Sequence, residues 1–125
     1  MRASKLVWEA DRLYREGLEL NAVVAPECQV VLGIDQPAPY AFGAGSLEDR
    51  LAAARSADIG FTIREVIYED DHRVAHQGVW THGGGQDAGG SAGLFYAVAI
   101  VRDNRIVRIH IVQTEDEARR ILAAK

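Results

Sequence analysis

One cysteine in 125 residues, Cys28, excludes an internal disulfide and fits a reducing compartment. Long apolar runs are also missing. The longest, Leu94 to Val101, is far too short to span a bilayer, and the N-terminal stretch MRASKLVWEADRLYRE carries charges where a secretory signal would need an apolar core. A cytoplasmic protein with no membrane partner is therefore expected. Basic stripes with interleaved aromatics are absent too: the arginines are scattered from Arg2 to Arg120 and the net charge is −4, which argues against a nucleic-acid partner. What remains is an ordinary globular composition, 48% hydrophobic and 26% charged, which argues against disorder. A chain of this length is expected to form a single domain over 1–125.

The organising stretch is LFYAVAIVRDNRIVRIHIVQ, residues 94–113, which reads as two strands folded back at Asp103-Asn104. With Arg102 opposite Arg105, a regular ladder pairs Ile100 with Val107, Val98 with Ile109 and Tyr96 with Ile111 on an apolar face. The other face is mixed, pairing Ala99 with Arg108 and Ala97 with His110.

Upstream, Leu6, Ala10, Leu13 and Tyr14 form one stripe of a helix over 4–17, with Glu9, Asp11, Arg12, Arg15 and Glu16 turned to water and Gly17 ending it. Residues 18–25 read as a second short helical piece stopped by Pro26. Cys28 to Ile34 is the first strand. A Pro- and Gly-containing loop follows, and Ser46-Leu-Glu-Asp49 has the form of a capping box for a helix to about Ala57. Residues 58–69 and 73–82 form a hairpin around Asp70-Asp71-His72. The glycine-rich 83–93 lacks the Lys-Ser/Thr pair of a phosphate loop and leads into a strand, so it reads as a strand connection or a flap over a pocket. Thr114-Glu-Asp-Glu117 caps a last helix with Ala118, Ile121 and Leu122 on its apolar side. Helices bunched early and four strands in a meander give an α+β fold, the helices on one face of a curved antiparallel sheet.

In this arrangement the chain resembles the nuclear transport factor 2-like superfamily, and within it the polyketide cyclase SnoaL-like proteins. The resemblance spans nearly the whole length and rests on APECQVVL, GSLEDRLAAA, EDDHRVAHQGVWTH and, above all, FYAVAIVRDNRIVRIHIVQTEDEAR. It implies a cone, a cystatin-like roll of sheet wrapped around the N-terminal helices with an apolar pocket for a small, largely apolar molecule. It also implies a homodimer through the outer sheet face, on the side of Arg108 and His110. Carried over, Tyr96, Val98, Ile109, Ile111 and Gln113 point inward, as do Val74, His76, Gly78, Trp80 and His82. Trp80, Tyr96 and Trp8 would make an aromatic lining, although the same residues would also fill an ordinary core.

The resemblance further suggests acid–base chemistry with Tyr14, Asp35 and His76. Tyr14 matches the oxyanion-donating tyrosine of ketosteroid isomerases in this superfamily, although its residue type and place favour a core tyrosine with a satisfied hydroxyl. The isomerase base position holds Val31, Leu32 and Gly33, leaving Asp35 as the nearest carboxylate. His76 suits a dehydratase-like role, titrating near neutrality beside a partner such as Asp35, or else is structural. His76 and His82 cannot share a metal, because six residues along a strand separate them by roughly 20 Å. Neither a metal nor a cofactor is expected. The alternative is a non-catalytic dimerising or ligand-sensing module of the same fold.

Overall fold

The computed structural model describes residues 3–32, 45–56, 59–82 and 94–124, with nothing established for the side chains of 32, 59–61 and 80–82. The loop expected after the first strand and the glycine-rich segment 83–93 lie outside the described residues, as does Asp35.

Helix α1 spans Ala3–Arg15. It ends in the way its glycine predicts: Gly17 has φ 74°, its N–H donates to the Tyr14 carbonyl, and the Leu18 N–H reaches back to the Leu13 carbonyl at 2.9 Å. This paired closure satisfies carbonyls that the helix itself leaves open. Its N-terminus is tied to the sheet, where Glu69 Oε2 accepts from the Ser4 N–H at 2.7 Å.

The second helical piece is not formed. The chain makes one turn at Leu20–Val23 and enters strand β1, Val24–Leu32, four residues earlier than Cys28. Long-range pairing overrides the local pattern, since Val24 lies beside Ile106 and the Val23 carbonyl accepts from the Ile106 N–H. Pro26 falls within the irregular stretch between Val24 and Gln29, where a missing N–H costs the ladder nothing.

Strand β2, Gly45–Ser46, is a two-residue pairing with β1 that precedes α2, Leu47–Ser56. The Ser46 hydroxyl accepts from the Asp49 N–H at 3.1 Å, as its capping pattern predicts. Then follow β3 (Ile59–Glu69), β4 (Arg73–His82), β5 (Leu94–Arg102), β6 (Arg105–Val112) and α3 (Glu115–Ala123). Thr114 caps α3, accepting from the Glu117 N–H while its hydroxyl donates to the Glu117 carboxylate. The sheet order is β2-β1-β6-β5-β4-β3, antiparallel except where β1 runs parallel to β6. Irregularities between Ile63 and Glu65 and between Val66 and Tyr68 bend β3, which is how bulges turn a flat sheet into a curved one.

Two departures from the sequence reading matter for the site. First, the helices do not share a face. Leu6, Val7, Leu47 and Leu51 from α1 and α2 join the principal core with Ile63, Val74, Phe95, Ala97 and Ile111. On the opposite side, Ala118 of α3 packs with Ala75, Val98 and Val112, and with Ile121 and Leu122 at the edge.

Second, the β5–β6 hairpin slips by one residue. The turn itself is as expected, with Asp103 and Asn104 at φ 53° and 61° and Arg102 opposite Arg105. A bulge between Ile100 and Val101 then leaves Val107 unpaired, so Ala99 meets Ile109 and Ala97 meets Ile111. A slip of one residue exchanges the faces of a strand. Ile109 and Ile111 keep their inward direction, but on β5 the inward set is Phe95, Ala97 and Ala99. Tyr96 and Val98 are corrected to the α3 side.

Candidate functional site

Between α1, α2 and the concave face of the sheet lies a cavity of about 70 Å³. By comparable measure a single water needs only about 10–15 Å³. Its wall is built from Val7, Leu51, Ile63, Phe95, Ile109 and Ile111, among other apolar side chains, and is interrupted by Asp11 and His76. Among the described residues these two are the buried polar side chains, at 1% and 5% exposure.

Asp11 reaches the cavity because Ala3, Leu6, Val7, Asp11 and Tyr14 share the buried side of α1. Their spacing of three or four residues is that of one helical stripe. The sequence reading placed Asp11 in water by its charge; the periodicity of Ala3, Val7 and Tyr14 was the signal that places it inside. Its Oδ2 accepts from Arg15 Nη2, one turn on, whose side chain is mostly in solvent. Its Oδ1 is buried and has no hydrogen-bond partner among the described residues. Burial raises its pKa above the ordinary carboxylate value, opposed by the charge and hydrogen bond of Arg15.

His76 reaches the cavity from β4, where it pairs with Ala97 of β5. Its Nδ1 is likewise buried, with no partner among the described residues. Burial pushes its pKa down to about 4, so the imidazole is neutral at physiological pH instead of titrating there. The edge of one ring meets the face of the other between His76 and Phe95, with centroids 6.5 Å apart and planes at 79°. Phe95 in turn covers Gly78, and this aromatic wall was missed because the regular ladder put Tyr96 in its place.

The other candidates fall elsewhere. Tyr14 is buried in the core but is not part of the cavity wall; its ring lies 4.5 Å beneath the Arg55 guanidinium, which also donates to the Tyr14 carbonyl at 3.1 Å. Tyr96 accepts at its hydroxyl from Gln77 Nε2 at 2.9 Å, and Gln113 is exposed. Trp8 is 41% exposed and is not part of the cavity wall. Trp80 and His82 belong to β4, their side chains being outside the description, and Asp35 is outside it altogether. Arg108 and His110 do lie on the outer face, in the groove beside α3. Cys28 is buried, which pushes its thiol pKa up to about 12, so it is no nucleophile. The structure thus brings together His76, Ile109 and Ile111 of the expected set, and adds Asp11 and Phe95.

An apolar enclosure with two inward, unpaired polar atoms can do two things. It can orient a small molecule through its own donors and acceptors, and it can exchange a proton with it away from water.

No family model and no curated protein matches the chain. Solved structures do. IdmH of Streptomyces antibioticus, provisionally named a polyketide cyclase, is similar over 97% of this chain and 98% of its own, with 15% identity and a TM-score of 0.59. A protein of Sinorhizobium meliloti given the same provisional name is 18% identical over 86% of this chain and 93% of its own, with a TM-score of 0.60. An NTF2-like protein of unknown function from Burkholderia pseudomallei is 20% identical over 97% of each chain, with a TM-score of 0.59. At these identities the likeness is one of fold.

Proposed function

We propose that this chain, which has the nuclear transport factor 2-like fold, binds a small, uncharged, largely apolar molecule in its cavity and shifts a proton on it. The observation that carries this reading is the pair of buried atoms Asp11 Oδ1 and His76 Nδ1 on one apolar wall, neither with a hydrogen-bond partner among the described residues. Burying a carboxylate oxygen and an imidazole nitrogen in this way is costly, and such an arrangement persists where function requires it. The fold likeness to IdmH and the Sinorhizobium protein supports a SnoaL-like relationship and this class of chemistry.

In the mechanism, Asp11 Oδ1 takes a proton from a carbon beside a carbonyl, and the electron pair moves onto the carbonyl oxygen. Neutral His76, in its Nδ1–H tautomer, donates a hydrogen bond to that oxygen, as preorganised dipoles do where charge develops. Asp11 then returns the proton at another carbon, so an isomerisation balances without any added reactant. Arg15 keeps the carboxylate available as a base by opposing the effect of burial.

The test is isomerisation of a small β,γ-unsaturated cyclic ketone to its conjugated form, followed by ultraviolet absorption. Turnover should fall by about 10²-fold or more in Asp11→Asn, the usual scale for a removed general base. Wild-type turnover no greater than that of this variant would remove the acid–base reading.

The small volume of the cavity favours a second reading, a non-catalytic ligand-sensing module of the same fold. A monocyclic phenol that raises the melting temperature of a protein without isomerase activity would decide for it.

A further inference from the structure

Among the described residues, helix α3 covers only part of the outer face of the sheet. Helix α3 lies over Ala75, Val98 and Val112, and beside it runs a groove of about 1280 Å³. Arg73, Arg102, Arg105 and Arg108 line it, against the acids Glu27 and Asp103. Ile100, Val107 and Ile121 supply apolar wall between them.

Arg73 is already engaged, held by Asp70 and by the Leu122 carbonyl. The other three differ. Arg102, Arg105 and Arg108 are exposed and make no ion pair among the described residues, although the chain has 18 acidic residues to 14 basic ones. Glu27 and Asp103 share the groove with them and pair with none. Arg102 sits directly opposite Arg105, an arrangement of like charges that weakens a hairpin. The bulge at Val107 brings Arg108 onto the same outer face, beside Gln29 of β1. Three free guanidinium groups on one hairpin, with apolar side chains between them, match carboxylates spaced along an amphipathic chain.

We propose that this groove docks an acidic, amphipathic segment of a partner protein, whose carboxylates are held by Arg102, Arg105 and Arg108. A second copy fits less well, since a two-fold interface offers the three arginines of one groove only the Glu27 and Asp103 of the other and leaves one guanidinium in each without a carboxylate. Nucleic acid fits less well again, because the apolar wall of Ile100, Val107 and Ile121 meets the leucines of an amphipathic segment but offers no aromatic ring on which a base could stack.

The experiment is fluorescence anisotropy with a labelled synthetic peptide of repeated Glu-Glu-Leu triplets, and with its Lys-Lys-Leu counterpart. Saturable binding of the glutamate peptide alone is expected, weakened by salt. Arg108→Glu, and the pair Arg102→Glu with Arg105→Glu, should each raise Kd at least tenfold, while the exposed Arg64→Glu on β3 leaves it unchanged. Equal affinity in the reversed-charge variants would overturn the proposal. So would full displacement by inorganic phosphate at low millimolar concentration, which means a small-anion site. A dimer by sedimentation that Arg108→Glu dissociates would also overturn it, assigning the face to a second copy. Circular dichroism of each variant confirms that the fold persists, and the cavity chemistry is untouched by any of these outcomes.

Discussion

The far end of the Phe95 ring packs over Gly78. A Cβ placed on Gly78 would come within 2.7 Å of Phe95 Cε1 and closer still to Cζ. The absence of a side chain at 78 is thus what lets the Phe95 ring reach the cavity wall and meet the His76 ring.

Gly78→Ala should therefore destabilise the protein by about 1–3 kcal/mol, the cost of forcing a methyl into a filled core. The double variant Gly78→Ala with Phe95→Leu should recover part of that loss. Urea denaturation of the two single variants and the double gives the coupling, and strict additivity would mean the ring does not rest on Gly78.

Asp11→Asn separates function from stability. It removes a buried carboxylate whose pKa burial raises, while Arg15, its partner, is largely in water. The melting temperature is expected to hold or to rise by a few degrees, although isomerase turnover is lost. A fall of more than about 10 °C would make Asp11 a structural residue.

The pH dependence of stability carries the mark of His76. Its folded pKa, about 4, lies below the unfolded value of 6.5, so the unfolded chain binds the extra proton between the two. Its contribution is complete above pH 6.5 and is lost as pH falls from there toward 4. At pH 5 the loss should be roughly 1–2 kcal/mol relative to pH 7. Asp11 works the other way, its raised pKa favouring the folded state as pH falls. Unfolding free energies at the two pH values, compared for wild type and His76→Gln, isolate the histidine; an identical pH slope in both would exclude it.

The β3–β4 turn is held by Asp70. Burial by itself would raise its pKa, but the His72 and Arg73 amides, the Arg73 guanidinium and the Tyr68 hydroxyl outweigh this and hold it down at about 2. The stability it supplies is present above the normal carboxylate pKa and disappears as pH falls through about 2. Asp70→Asn should cost on the order of 1–2 kcal/mol at neutral pH, discounted for its partial exposure. Because Arg73 also ties the turn to the Leu122 carbonyl, hydrogen exchange in α3 should quicken in this variant. Unchanged protection there would mean the turn and α3 are independent.

Local chemistry fixed what local chemistry can. Gly17 and Thr114 set helix ends and Asp103-Asn104 set a turn, because each depends on a few neighbouring residues. The α+β class was likewise legible in the order of elements, whereas the cone and the inward direction of His76, Ile109 and Ile111 followed from the family resemblance. Tertiary structure decided the rest. A single bulge at Val107 turned Phe95 inward and Tyr96 and Val98 outward, and no two-residue period records an unpaired residue in the ladder. Pairing of β1 with β6 drew Val24 out of a helical pattern into a strand. Asp11 looked like a solvent residue by type, and only the shared burial of its helical stripe set it beside His76 in one apolar cavity. The candidate site joins α1 to β4 and β5, elements far apart in the chain, so their meeting follows from packing that no local stretch of sequence contains.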